Sequence, residues 1–517
     1  MQIPSGGSAP NSRSAWRQCL WLCLPALLIG AALRISVLMT LPEAYYGSDS
    51  NSYFQTTSML WTEGKLELKS KRRWIYPLVL VPTPLLPGRT VQIIAVAQHA
   101  LGLVTLIGIG WIVLHLTHRP KVWVPLVTTL AAVWPRTLWY EHEVIAEALF
   151  LATIVLAVAL AFPVGCLRRP QRLFCYLLAV TLIVAVKPHG KPIWMGLMLA
   201  AVLLAGVPWR WATKNILAAV ASVVVMLSAG SSSQGAWLLL SSALPLVRTE
   251  GEKWSEYRQV LRPLIEEARA DLSQYPWNQY QYKKMLADSR KQPRLGPVWT
   301  KLREDQGEFS RVARGLAMEG ILHAPLTYAH LVLIKTGMVL SDETAGDRLV
   351  PREFWKQQEA NNDERWERRP KEMELLYEMD RADYQALVAE RRPRHAWYAP
   401  YLPKFTHVFA WTRTVWGKKN TLHAAWFGVL ALFGLLTCLR PSRFKPASPL
   451  WLSLLLYMGL IFSVGDTVSR YLQPVEWIGL ISVALGLDWL LQLVLPGRGR
   501  AAATAAETLP AVAQTAP

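Results

Sequence analysis

The stretch "WRQCLWLCLPALLIGAALRISVLMTL" occupies Trp16–Leu41, and its length decides the fold. A helix that crosses the hydrocarbon core of a bilayer needs about 20 mostly apolar residues. This run supplies them, with Arg17 at its start and one interior charge, Arg34. It is too long for a signal-peptide core and no clear small-x-small cleavage site marks its end, so it reads as a retained membrane helix. Comparable apolar runs recur at 90–117, 122–139, 144–165, 173–187, 192–208, 215–233, 422–439, 449–465 and 475–495. The pattern predicts an all-α polytopic membrane protein with about ten transmembrane helices.

Composition agrees. The 517 residues are 52% hydrophobic, and the apolar residues are gathered into runs, which excludes a string of soluble domains. The net charge of +19 would suit nucleic acid or an anionic membrane surface. No nucleic-acid-binding motif accompanies it, and much of the basic charge falls beside the apolar runs. The five cysteines lie in or next to those runs, so no disulfide framework is implied. No CxxC or Cys/His cluster suggests zinc.

Cytoplasmic loops of membrane proteins carry excess Lys and Arg. With the N-terminus placed inside, Arg119/Lys121, Arg168/Arg169/Arg172, Arg210/Lys214, Arg440/Arg443/Lys445 and Arg498/Arg500 all become cytoplasmic. The expected organisation has five parts. Residues 1–15 are a disordered cytoplasmic N-terminus. Residues 16–233 form a transmembrane module with an external loop at 42–89. Residues 234–421 form an external, mostly helical domain inserted before the last three spans. Residues 422–495 are a second transmembrane module, and 496–517 a disordered cytoplasmic tail. The unusual polar residues then collect on the external side, and ionisable groups gathered at one membrane edge point to a functional site.

Five stretches carry that chemistry. In "YYGSDSNSYFQTTSMLWTEGKL", from Tyr45, Asp49 either caps a helix running to about Trp61 or is an acid held at the membrane edge. Beyond it, Lys71, Arg72 and Arg73 either meet a phosphate or solvate a loop. The turn "YEHE" (140–143) crowds Glu141, His142 and Glu143 together, with Glu147 one helical turn after Glu143. These groups could bind a divalent ion or a polar substrate, or favour a helix start through its dipole. "KPHGKP" (187–192) presents Lys187, His189 and Lys191, and "GDTVSRYLQP" (465–474) presents Arg470 and Tyr471. Arg470 at a membrane edge either clamps a phosphate or snorkels as an anchor.

In this order the stretches resemble the GT-C superfamily of polyprenyl-phosphate-sugar-dependent glycosyltransferases, in particular its protein O-mannosyltransferase and aminoarabinose-transferase branch. The resemblance rests on "ALRISVLM" with Arg34, on Asp49, Tyr53 and Gly64, on Tyr76-Pro77, on Pro135 and "AEALF" with Glu147, on Lys187-Pro188, and on Arg470, Tyr471 and Pro474. It covers roughly 16–233 and 422–495. Ser50 follows Asp49 where the protein mannosyltransferases carry an Asp-Glu pair, and 234–421, lying between spans rather than at the C-terminus, departs from the family pattern.

The resemblance implies a GT-C-like bundle with its site on the external, periplasmic side; a bacterial plasma (inner) membrane is expected because no eukaryotic retention signal is visible. It implies a polyprenyl-phosphate-linked sugar donor, membrane lipid as surroundings, and a glycan, lipid or protein acceptor; nucleic acid has no part. Asp49 would be the general base of an inverting transfer. Arg470, Lys187, Lys191, Arg72 and Arg73 would receive the donor phosphate. Tyr53, Glu141, His142, Glu143, Glu147, His189 and Tyr471 would support the acceptor. Some branches of the superfamily require metal and others do not, so the resemblance leaves open a divalent cation (Mg or Mn) held by Glu141 and Glu143. A lipid or oligosaccharide transporter or flippase would instead place ionisable residues near the midplane and show repeats. A polysaccharide polymerase or O-antigen-ligase-like protein would not need the Asp49–Tyr53–Gly64 pattern. A non-catalytic assembly protein would not need Asp49.

Overall fold

A computed structural model describes residues 12–47, 49–67, 73–208, 211–228, 233–274, 306–340, 349, 351–391, 432–439, 444–464 and 473–494. Among these the chain is all-helical, and its only β pairing is an isolated parallel bridge between Tyr45 and Glu143. Three helices are long and apolar enough to cross a membrane: α1 (Ser12–Thr40), α4 (Thr90–Leu116) and, near the C-terminus, Gln473–Val494. Where they are described, the other apolar runs form shorter helices, so among the described residues three crossings are seen.

Proline accounts for part of that difference. The run 122–139 divides into α5 (Pro120–Ala132) and α6 (Pro135–Glu141). Pro135 has no N–H to continue the ladder, and its ring drives the preceding residue out of helical backbone. Trp134 accordingly sits at φ −67°, ψ 116°. The run 144–165 becomes helical only at α7 (Glu147–Leu160). Before α4 lie α2 (Ser50–Glu63) and the short α3 (Ile75–Leu80). After α7 come α8 (Pro170–Val186), α9 (Lys191–Ala205) and α10 (Thr213–Ser228).

These elements pack in a bundle. α1 lies against α4 and α5, α4 against α7, α7 against α8, and α8 against α9 and α10. Apolar side chains such as Val37, Ile94, Ile112, Phe150, Ile154 and Val180 fill the space between them. Burying each of that size is worth about 1.5–3 kcal/mol relative to water, although within a bilayer the gain comes from close packing.

Beyond α10 the chain continues with α11 (Ser233–Ala243), α12 (Ser255–Gln274), α13 (Gln306–His323), α14 (Pro325–Leu340), α15 (Pro351–Arg368), α16 (Pro370–Tyr377) and α17 (Arg381–Arg391). It ends with α18 (Ser448–Val464) and α19 (Gln473–Val494). The segment expected as one inserted domain divides its loyalties. α11, α12 and α13 close a core of their own around Leu240, Leu264, Ile265 and Leu316. Phe354, Trp355, Tyr377 and Tyr384, from α15 to α17, join the main core of the bundle, and α16 packs on α2 and α4.

Candidate functional site

The site starts from the loop between α1 and α2. Tyr45 N–H donates to the His142 carbonyl (2.7 Å), and Val144 N–H donates back to the Tyr45 carbonyl (2.9 Å). One residue earlier, Ala44 N–H donates to the Val91 carbonyl at the start of α4 (3.1 Å). The Asp49 loop and the "YEHE" turn are therefore stitched together by main-chain bonds that any side chain would allow. A Cβ placed on Gly47 would lie 2.7 Å from Glu143 Oε1, which puts that carboxylate against the loop two residues before Asp49.

Asp49 stands at the N-cap position of α2, yet its carboxylate makes no capping hydrogen bond. Its carbonyl accepts from Ser52 Oγ (2.7 Å), and Ser50 Oγ accepts from Gly47 N–H (2.8 Å). The capping use of Asp49 thus loses its geometric support. α2 buries Tyr53, whose ring meets Tyr76 edge-on at 5.2 Å. Tyr76 donates to Gln98 Oε1 (2.8 Å), and Gln98 Nε2 in turn donates to the carbonyls of Glu141 (3.1 Å) and Glu143 (2.8 Å). The charges of Glu143 and Glu147 both bear on the Tyr76 phenol, so all these groups share one region. Gly64 closes α2 in the left-handed conformation, φ +68°.

Glu141 serves a buried network. Arg34 reaches from α1 and donates Nε to Glu141 Oε2 (2.8 Å) and Nη2 to Oε1 (2.7 Å), a fork geometry. His99 Nδ1 lies 2.9 Å from Glu141 Oε2; since a carboxylate can only accept, Nδ1 carries the proton. His99 Nε2 is then the acceptor for His142 Nδ1–H at 3.1 Å. Gly102 on α4 makes room for this carboxylate: a Cβ there would fall 2.0 Å from Glu141 Oε1. Burial holds the His142 imidazole well below its ordinary range. The network orients the turn. Both Glu141 oxygens are bonded to guanidinium or imidazole N–H donors. Among the described residues no group of three or more His, Cys, Asp or Glu side chains is arranged to hold a metal, so no step is assigned to one.

Of the basic candidates, Lys187 is buried and paired with Glu147 at 2.5 Å, its ammonium 5.7 Å above the Phe150 ring. That pair neutralises itself and joins α7 to the end of α8. Arg73 and Lys191 are half-buried, Arg73 donating to the Val225 carbonyl at 3.3 Å, and their charges act on one another. Neither has an acidic partner among the described residues, which leaves them the better-placed cations for an anionic ligand. His189 sits half-buried in the short turn between Lys187 and Lys191. Lys71, Arg72, Arg470 and Tyr471 lie outside the described residues.

A clamp of α15 and α16 side chains on the Asp49 loop had no forewarning in the sequence. Arg365 donates Nη1 to the Tyr46 carbonyl (2.5 Å) and Nη2 to the Gly47 carbonyl (2.6 Å) and stacks over the Tyr46 ring at 4.5 Å. Gln358 Oε1 accepts from Tyr46 N–H (3.0 Å), and Asn361 Nδ2 donates to Tyr45 OH (2.5 Å). Arg369 Nη1 donates to Asn51 Oδ1 (2.5 Å). Tyr46 OH donates to Glu372 Oε1 (2.6 Å); burial first, and then the Glu372 charge, push its phenol well above the usual range, so it stays a donor. Six residues after Gly47, the loop has already become the buried face of α2, so the clamp fixes the segment that carries Asp49.

No protein-family model matches the chain, and no curated protein matches it.

Proposed function

We infer that the protein is an integral-membrane, GT-C-type glycosyltransferase that moves a sugar from a polyprenyl-phosphate donor to an acceptor hydroxyl, with Asp49 as general base. The single observation behind this reading is the Asp49 loop itself. It is bonded to the turn carrying Glu143, clamped by Arg365, and packed beside Tyr53 and Tyr76, while the Asp49 carboxylate is not spent on capping α2. An acid held by so many main-chain bonds is preorganised in the way a base needs to be.

The acceptor O–H proton passes to the Asp49 carboxylate as the acceptor oxygen forms its bond to the anomeric carbon. The bond from that carbon to the phosphate oxygen breaks on the opposite face, so configuration inverts and the lipid phosphate leaves with the electron pair. Arg73 and Lys191 receive the growing negative charge, joined by Arg470 on the strength of the resemblance. Glu143 and Tyr76 face the acceptor side. The basic loops at the other end of the bundle fit an outward-facing site in a bacterial plasma membrane.

Transfer from a defined polyprenyl-phosphate sugar, using purified full-length protein, tests this reading. Asp49→Asn should abolish turnover while leaving the thermal transition in place. Near-normal turnover by that variant would remove Asp49 from the chemistry.

A further inference from the structure

Between α4 and α7 the surface opens into a groove of ≈ 1110 Å³ that runs to the end of the bundle away from Asp49. α7 begins at Glu147, beside the Asp49 loop, and runs away from it to Leu160; the chain then turns through 166–168. Apolar side chains wall the groove. Val104 is 62% exposed and Leu156 49%, values that call for a hydrocarbon neighbour. Arg168, Arg169 and Arg172 line one end. Arg172 is fixed there by donating Nε to the Leu160 carbonyl (3.1 Å) and Nη2 to the Phe162 carbonyl (3.1 Å). Arg168 and Arg169 are exposed, and neither has an acidic partner among the described residues.

We propose that this groove binds one anionic glycerophospholipid, with its phosphate on Arg168, Arg169 and Arg172 and an acyl chain laid between α4 and α7. The dimensions fit. From Leu149 to Leu160 a helix rises about 17 Å, close to the depth of one leaflet's hydrocarbon, half of about 30 Å. Guanidinium groups bind phosphate oxygens in pairs, which favours a phosphate-bearing headgroup over a neutral one. A zwitterionic lipid offers the same phosphate but brings its own cation to a site that already holds three. The three arginines lie at the end of α7 away from Asp49, so the phosphate they hold is distinct from the donor phosphate of the proposed transfer, and the inference stands whether or not that transfer occurs.

Native mass spectrometry of the full-length protein, purified in detergent with equal amounts of phosphatidylglycerol and phosphatidylethanolamine, reads the site directly. The wild type should retain one phosphatidylglycerol in preference to phosphatidylethanolamine. Arg168→Gln/Arg169→Gln alters only exposed side chains and should weaken that retention about 30-fold, roughly fivefold for each charge removed near a lipid headgroup. Ala152→Phe, which fills the groove from α7 and leaves the arginines alone, should also release the lipid. Excess inorganic phosphate should not compete. Equal retention of both lipids, unchanged retention in the double variant, or displacement by phosphate would each overturn the proposal, the last by showing an ion site with no use for the groove.

Discussion

Arg365 Nη2 holds the Gly47 carbonyl at 2.6 Å, across 318 positions of sequence. With its second Nη on Tyr46 and its plane over the Tyr46 ring, this one guanidinium sets the course of the chain into α2. Charge-assisted bonds of this kind are about twice as strong as neutral ones. The residues between 349 and 391 thus act as part of the bundle, where they determine how the Asp49 loop is presented.

Arg365→Ala should therefore loosen the loop locally. Hydrogen exchange at the Tyr45 and Val144 amides, which form the ladder between loop and turn, is expected to speed up by at least tenfold, about 1.4 kcal/mol of lost protection. The core amides of α4 should keep their protection. Unchanged exchange at Tyr45 would show that the main-chain bonds hold the loop without the clamp.

The long apolar helices were legible because hydrophobic length is a local property: Trp16–Leu41, 90–117 and 475–495 became α1, α4 and α19 with small shifts at their ends. The break at Pro135 was written in the sequence too, but the apolar run masked it. That Asp49 and Glu143 belong to the same side followed from the charge of the loops; that they are joined through Tyr45 did not, since main-chain bonds leave no mark on residue type. His99 shows the same limit. A lone histidine inside an apolar run has no visible partner, and its carboxylate lies 42 positions away. Gln358, Arg365 and Glu372 look like ordinary residues of solvated helices until the fold brings Tyr46 to them.

Lys187 and Lys191 are four residues apart and should behave differently. Lys187→Met strips a buried carboxylate of its partner and should cost about 3–5 kcal/mol of stability. Lys191 has no acidic partner among the described residues, so Lys191→Met should leave the thermal transition nearly unchanged and raise KM for the donor of the proposed transfer. Chemical unfolding in detergent and donor titration separate the two. A raised donor KM with intact stability in Lys187→Met would return Lys187 to the phosphate.

His142 should make the fold sensitive to acid. Its folded imidazole titrates well below the ordinary 6.5 because of burial. Between those values the unfolded chain binds a proton that the folded one does not, so stability is full above about pH 6.5 and falls as pH drops below it, by up to about 1.4 kcal/mol per pH unit. Unfolding measured from pH 7.5 to 5 (roughly the range in which an imidazole titrates) should show this slope, and His142→Gln should flatten it. An identical slope in both proteins would assign the acid sensitivity elsewhere.

Arg34 and Glu141 should be coupled more strongly than any other pair named above. Both side chains are almost completely buried, at 2% and 1% exposure, and they neutralise one another through a fork of two bonds, with His99 Nδ1 as a further donor to Glu141. Removing one partner leaves the other charged and out of reach of water, so Arg34→Met and Glu141→Gln should each cost about 3–5 kcal/mol. Removing both leaves polar shape without buried charge, and the double variant should lose clearly less than the sum of the two. The difference is the coupling energy of the pair, read from unfolding of all four proteins in one detergent. His99 adds a check on the origin of that coupling. In Arg34→Met, His99 can take up the proton that keeps Glu141 neutralised, so the coupling should grow when His99 is also replaced by Phe. Simple additivity of Arg34→Met and Glu141→Gln would mean that water or lipid headgroups reach the pair, and that the network does not hold the turn in place.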